Sequence, residues 1–98
     1  MARKFIAVLG GGISGYGSAI LAKKQGFDVL LSDMGTIAPR YRERLDEWGV
    51  EYEEGGHSVE RILTASEVIK SPGIPDKAPI VKALHEKGVP VISEMEFA

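Results

Sequence analysis

The chain contains no cysteine, which excludes disulfide bridges and any metal centre built on thiolates. No stretch approaches the ~18 consecutive apolar residues of a membrane span. The apolar run 5–9 behind the basic opening "MARK" is too short for the core of a signal peptide. A soluble, cytoplasmic domain is therefore expected. Neither sign of charge dominates: 12 Lys and Arg against 14 Asp and Glu leave a net charge of −2. The basic residues are scattered, so no nucleic-acid footprint is expected. There is no Ser/His/Asp constellation, no metal-spaced cluster, no internal repeat and no low-complexity linker. At 98 residues the chain is the size of one domain with one core.

What is present is an alternation of short apolar runs with helical patterns. "FIAVL" (5–9) is apolar throughout, as expected of a strand covered on both faces. Residues 14–24 end on Lys23 and Lys24 with Gly26 just beyond, the signature of a helix C-terminus. "DVLLS" (28–32) reads as a second strand. In 39–49, Tyr41, Leu45 and Trp48 share one helical face between Pro39 and Gly49, and Trp48 is expected to pack in the core or at its edge. "VEYEE" (50–54) alternates as a strand; Val59, Ile62 and Leu63 form a short helical face; "EVIK" (67–70) reads as a buried strand. A helix over 79–87 and a strand over 89–93 complete the series, and Pro90 places that strand at an edge or at its start. Alternation of this kind implies βαβ units with right-handed crossovers. The expected fold is α/β, a Rossmann-like five-stranded, mostly parallel sheet with helices on both faces.

Four glycines stand directly after the first strand. Residues 10–15, "GGGISG", match G-x-G-x-x-G between a strand and a helix. In that setting Gly10 permits the tight turn, Gly12 lets a phosphate approach the backbone, and Gly15 lets the helix pack closely. The helix N-terminus offers unpaired N–H groups and about half a positive charge to an anion. Asp33 ends the second strand, where a carboxylate can accept a hydrogen bond from a ribose hydroxyl or a base N–H. Ser71, Pro72 and Gly73 follow the strand at 67–70 and should lie at the same edge, with Pro72 and Gly73 suited to a type II turn. His57, alone on a loop, reads as exposed or capping, and His85 as solvated. Glu94 and Glu96, alternating with Met95 and Phe97, suggest a chain running along a surface.

The segments "VLGGGISG" (8–15), "LLSD" (30–33), "GGHS" (55–58), "IKSPGIP" (69–75) and "VPVISEMEF" (89–97) together resemble the N-terminal domain of the Mur ligases. These are ATP-dependent, amide-forming enzymes of peptidoglycan precursor synthesis. The resemblance runs the length of the chain. Its glycine motif is shared with all dinucleotide-binding folds, whereas S-P-G-I followed by E-x-E-F is far more particular. The Pro72–Gly73 pair, where L-alanine-adding relatives typically carry Ser-Ala, points to the D-glutamate-adding branch. The resemblance implies a domain that holds the UDP part of UDP-N-acetylmuramoyl-L-alanine. The backbone at Ile13 and Ser14 would meet the diphosphate, Asp33 and Met34 the uracil, and Gly73 would close the site. Family members often carry a polar or basic residue after that aspartate. Met34 and Gly35 depart from this, and Arg40 is the candidate substitute.

The implied chemistry, in which ATP and Mg2+ activate a carboxylate for attack by D-glutamate, needs a G-x-x-x-x-G-K-[ST] loop. The sequence has none. The chain is therefore expected to be a substrate-binding N-terminal domain, residues 1–98, not catalytic alone and binding no cofactor itself. The glycine motif and Asp33 taken alone also fit an NAD-binding oxidoreductase domain or a nucleotide-sensing regulatory module.

Overall fold

The computed structural model of the chain describes residues 4–71, 73–75 and 77–93, and of Ile13 and Ser14 only the backbone. The elements alternate: β1 (Phe5–Leu9), α1 (Ile13–Lys24), β2 (Asp28–Ser32), α2 (Pro39–Glu47), β3 (Glu51–Glu53), α3 (Val59–Ile62), β4 (Glu67–Lys70), α4 (Pro79–Lys87) and β5 (Val91–Ser93). The strands form one sheet in the order β3-β2-β1-β4-β5, and every neighbouring pair is parallel.

A parallel sheet needs a crossover between neighbours, and helices supply it on both faces. Side chains alternate along β1. Ile6 and Val8 join Val29, Leu31 and Ile69 on one face, beneath Ala19 and Ala22 of α1 and Leu45 of α2. Ala7 and Leu9 join Leu30 and Val68 on the other, against Ile62 of α3 and Ile80, Val81 and Leu84 of α4. Each fully buried Leu or Ile contributes about 1.5–3 kcal/mol relative to exposure. The three central strands, buried on both sides, form the middle of this core.

The element order follows the sequence pattern, and the differences lie at the ends. Residue 48 is past the last turn of α2, so Trp48 escapes the buried stripe headed by Leu45. It is 42% exposed, with the Lys24 ammonium 5.0 Å from its ring centre, a cation–π contact. α3 has only four residues, and its Ile62 is buried while Val59 faces outward. Pro90 precedes the edge strand β5, its carbonyl accepting from the Val68 N–H at 2.9 Å although its own nitrogen cannot donate. Residues 94–97 lie outside the described residues, as does the surface path expected of them. Among the described residues, no helix is long and apolar enough to cross a membrane.

The strand order reverses between β1 and β4. In open α/β sheets the crevice at the carboxyl ends of such strands is where ligands bind. The loops after β1, β2, β3 and β4 all meet at that edge.

Candidate functional site

The loop after β1 begins at Gly10, whose φ of +100° is a conformation side chains rarely adopt. Its N–H donates to the Ser32 carbonyl at 2.8 Å, continuing the β1–β2 ladder into the turn. A Cβ on Gly15 would stand 1.7 Å from the Gly10 carbonyl oxygen, so α1 is seated directly on the loop. Gly12 is the N-cap of α1, extended at φ −70° and ψ −175°, with no side-chain cap and no acidic residue in the first turn. A Cβ there would have no atom within 4 Å. The three motif glycines therefore differ: one turns the chain, one permits close packing, and one leaves open space before a helix N-terminus.

Asp33 ties the next loop to this one. Its Oδ2 accepts from the Gly11 N–H at 2.6 Å and its Oδ1 from the Gly35 N–H at 2.7 Å. Each carboxylate oxygen keeps a second acceptor direction. Gly11, an unspecified position of the motif, is constrained too. A Cβ on it would lie 2.6 Å from Ile37 Cγ1 and 3.0 Å from Asp33 Oδ2. The β2 and β3 loops are joined by Gly55 N–H to the Gly35 carbonyl (3.0 Å), Gly56 N–H to the Asp33 carbonyl (3.3 Å) and Ile37 N–H to Glu54 Oε2 (2.7 Å).

Across the crevice, the loop after β4 closes a turn in which the Ile74 N–H donates to the Ser71 carbonyl at 3.0 Å. The type II geometry expected of Pro72 and Gly73 rests on Pro72, which lies outside the described residues. Between the two sides is a crevice of about 670 Å³ whose lining includes Gly10, Gly12, Asp33, Met34, Ser71 and Gly73. The structure thus brings together six residues selected from the sequence. Gly15 lies behind them as a packing residue, and Ile13 and Ser14 are placed by their backbone at the start of α1. Arg40 is not among the lining residues; its guanidinium is 4.9 Å from the Tyr41 ring centre.

His57 differs from its sequence reading. It is half-buried in the crevice wall, with Nδ1 2.5 Å from Ser32 Oγ. Fully buried Ser32 donates to Glu53 Oε2 at 2.6 Å. Glu53 also accepts from the Ser58 N–H (2.8 Å) and hydroxyl (2.5 Å). This Ser, His and acid cluster is not a nucleophilic triad, because the serine sits between histidine and carboxylate and is closed to substrate. His57 follows β3, which pairs beside β2. The rule that ligands bind at the carboxyl edge, applied to that loop, is the signal that could have placed it. Val59, also in the lining, escaped notice because its spacing fits a buried helical face.

Burial lowers the pKa of His57 against the opposing pull of Glu53 and Asp33. Burial works to raise that of Glu53, but the hydrogen bonds from Ser32 and Ser58 outweigh it, leaving the net value lowered. Both shifts make the unfolded chain the better proton binder in acid, so stability rises with pH. The urea midpoint is expected to be highest above His57's ordinary 6.5 and to fall as pH drops through its lower folded value. A second decline should begin below 4.5, where Glu53 of the unfolded chain takes up a proton, and continue as pH falls through its lower folded value. A midpoint independent of pH from 7.5 to 5 would contradict this reading of His57.

An open parallel sheet with a glycine loop at a helix N-terminus, set at the point where strand order reverses, defines a domain of the Rossmann-like class. Comparison with known proteins narrows the class. Residues 4–93 match the family model for the Mur ligase MurD-like N-terminal domain, and the chain belongs to that family. A UDP-N-acetylmuramoylalanine–D-glutamate ligase of Bacteroides fragilis is 55% identical over 95 residues, which cover 97% of this chain and 21% of the relative. Among solved structures, the UDP-N-acetylmuramate:L-alanyl-γ-D-glutamyl-meso-diaminopimelate ligase of Neisseria meningitides aligns with a TM-score of 0.78 and 26% identity, over 95% of this chain and 29% of its own. A murein peptide ligase from Psychrobacter arcticus shares the fold, with a TM-score of 0.85 at 24% identity over 96% of this chain and 20% of its own. The chain spans about a fifth of the length of the curated relatives it matches.

Proposed function

We propose that this domain holds the UDP end of UDP-N-acetylmuramoyl-L-alanine for a cytoplasmic ligase that joins D-glutamate to it at the expense of ATP. The observation that carries the reading is Gly12. It caps α1 without a side chain, has no atom within 4 Å of where its Cβ would be, and opens on the crevice. A diphosphate there would accept from the first free N–H groups of α1, including those of Ile13 and Ser14. Met34 and Val59, two of the large apolar side chains most exposed among the described residues, both line the crevice. They offer an apolar cover for a pyrimidine beside Asp33. Gly73 and Ser71 bound the opposite side, where the sugar and its peptide would leave toward the rest of the ligase. We assign ATP and Mg2+ to the other domains of the ligase. This chain carries no phosphate loop, and among the described residues no three His, Asp or Glu side chains are grouped as metal ligands.

Calorimetric titration of the chain with UDP-N-acetylmuramoyl-L-alanine, UDP and NADH tests the reading. Tighter binding of the uridine nucleotides is expected, and a preference for NADH would overturn it. Base identity supplies a finer test. The remaining acceptor directions of Asp33 suit the N3–H of uracil, whereas cytosine presents an acceptor there. An unpaired buried polar group costs on the order of 1–3 kcal/mol, so UDP should outcompete CDP by roughly tenfold or more. In Asp33→Asn one carboxylate oxygen becomes an NH2 group, and the preference should fall toward parity. Overall affinity should also drop, because Gly11 or Gly35 loses its acceptor. An unchanged UDP/CDP ratio in Asp33→Asn would show that Asp33 serves only to tie the loops.

A further inference from the structure

The cluster behind the crevice wall fixes more than the position of His57. Glu53 accepts from three donors, Ser32 Oγ, the Ser58 N–H and Ser58 Oγ, an arrangement suited to an ionised carboxylate that can only accept. Ser32 has a single hydroxyl proton. Its possible acceptors are Glu53 Oε2 at 2.6 Å and the Gly56 carbonyl at 3.4 Å, and the charged, closer oxygen takes it. Were that proton turned instead to His57, two oxygen lone pairs would face each other at the Ser32–Glu53 distance. The 2.5 Å contact between Ser32 Oγ and His57 Nδ1 must therefore be an Nδ1–H donating to the serine oxygen. A neutral imidazole carries one N–H. The other nitrogen, Nε2, is left as a bare acceptor, and no hydrogen bond to it is formed among the described residues.

We propose that His57 reads a ribose hydroxyl of the bound nucleotide through Nε2, held as an acceptor by the Ser32–Glu53 pair. The inference rests on the nucleotide-binding reading of the crevice and deepens it. The diphosphate has no donor to offer, and a lone pair turned toward it would repel. At the uridine end the donors are the two ribose hydroxyls and the N3–H, and the N3–H is matched by Asp33. A ribose hydroxyl is the remaining partner for a neutral acceptor in the wall beside Asp33. Ser32 and Glu53 then act as positioning residues: they choose the tautomer and never touch the ligand.

Two substitutions separate the two ring nitrogens. His57→Asn places an amide NH2 near the Nδ1 position, preserving the bond to Ser32 while deleting the acceptor. His57→Gln reaches the Nε2 position with a carboxamide oxygen. Dissociation constants of the chain for UDP, 2′-deoxy-UDP and 3′-deoxy-UDP are measured by NMR titration, with circular dichroism confirming the fold. The wild-type chain should lose about three- to tenfold in affinity for one of the deoxy nucleotides, the range of one neutral hydrogen bond. His57→Asn should bind UDP more weakly by the same factor and no longer distinguish UDP from that analogue. His57→Gln should recover part of the difference. Equal binding of all three nucleotides by the wild-type chain overturns the proposal without recourse to any variant, as does a His57→Asn chain that discriminates like the wild type. Failure of the wild-type chain to bind UDP at all would overturn the nucleotide reading as well, so the two failures are distinguishable.

Discussion

Gly15→Ala is expected to cost the domain a large share of its stability. The added Cβ would lie 1.7 Å from the Gly10 carbonyl oxygen and 2.8 Å from its carbon. Both are backbone atoms, so no rotamer change can relieve the clash. Either the Gly10 turn must open or α1 must lift from the sheet. The turn is held by the Gly10 N–H to Ser32 bond, and α1 is held by Ala19 and Ala22, both fully buried on the sheet. Overpacking typically costs 1–3 kcal/mol and more when nothing can shift, so a loss of about 3 kcal/mol or more is expected. For a domain of this size that corresponds to a fall in melting temperature of roughly 12 °C or more, out of a total stability on the order of 5–15 kcal/mol. A thermal melt followed by circular dichroism measures it. A shift under about 4 °C would mean that the helix is not seated on the turn.

The same residue shows what a sequence can and cannot reveal. Gly15 was legible as a close-packing glycine because G-x-G-x-x-G between an apolar run and a helix has a fixed geometric meaning. The element order was legible for a similar reason: period and punctuation in the chain map directly onto strands and helices. β1, β2, β4 and α4 occupy the residues their patterns mark. Trp48 failed because spacing identifies a face and not the last residue of a helix; the helix stops at Glu47, so the third residue of the stripe falls off its end. Gly11 failed because its constraint comes from Ile37 and Asp33, more than 20 residues away, and no local pattern records a long-range contact. His57 failed likewise. Its partners Ser32 and Glu53 lie on two strands whose pairing becomes known only once the sheet order is known. What local rules encode was readable, and what the topology assembles was not.

Gly12→Val should do the reverse of Gly15→Ala, sparing the fold and removing the ligand. The φ of −70° and ψ of −175° at Gly12 are extended backbone that valine adopts readily, and its Cβ would meet nothing within 4 Å. The folded chain has room for the Cβ, and the cost expected is that valine is a poorer N-cap than glycine, up to about 1 kcal/mol. For a diphosphate the position is different. The two valine methyl groups would occupy the space through which the phosphates must approach the N–H groups at the start of α1. Hydrogen bonds to charged groups contribute about 1.5–3 kcal/mol each. Loss of two of them predicts a fall in UDP affinity of roughly a hundredfold or more. Gly12→Ser, which restores a favoured N-cap and adds a smaller side chain, should melt at or above the parent and bind with intermediate affinity. Calorimetry with UDP, paired with a thermal melt of each variant, reads both effects. If Gly12→Val folds and binds UDP within about threefold of the parent, the phosphates do not pass over this helix start, and the open space at Gly12 belongs to the turn alone.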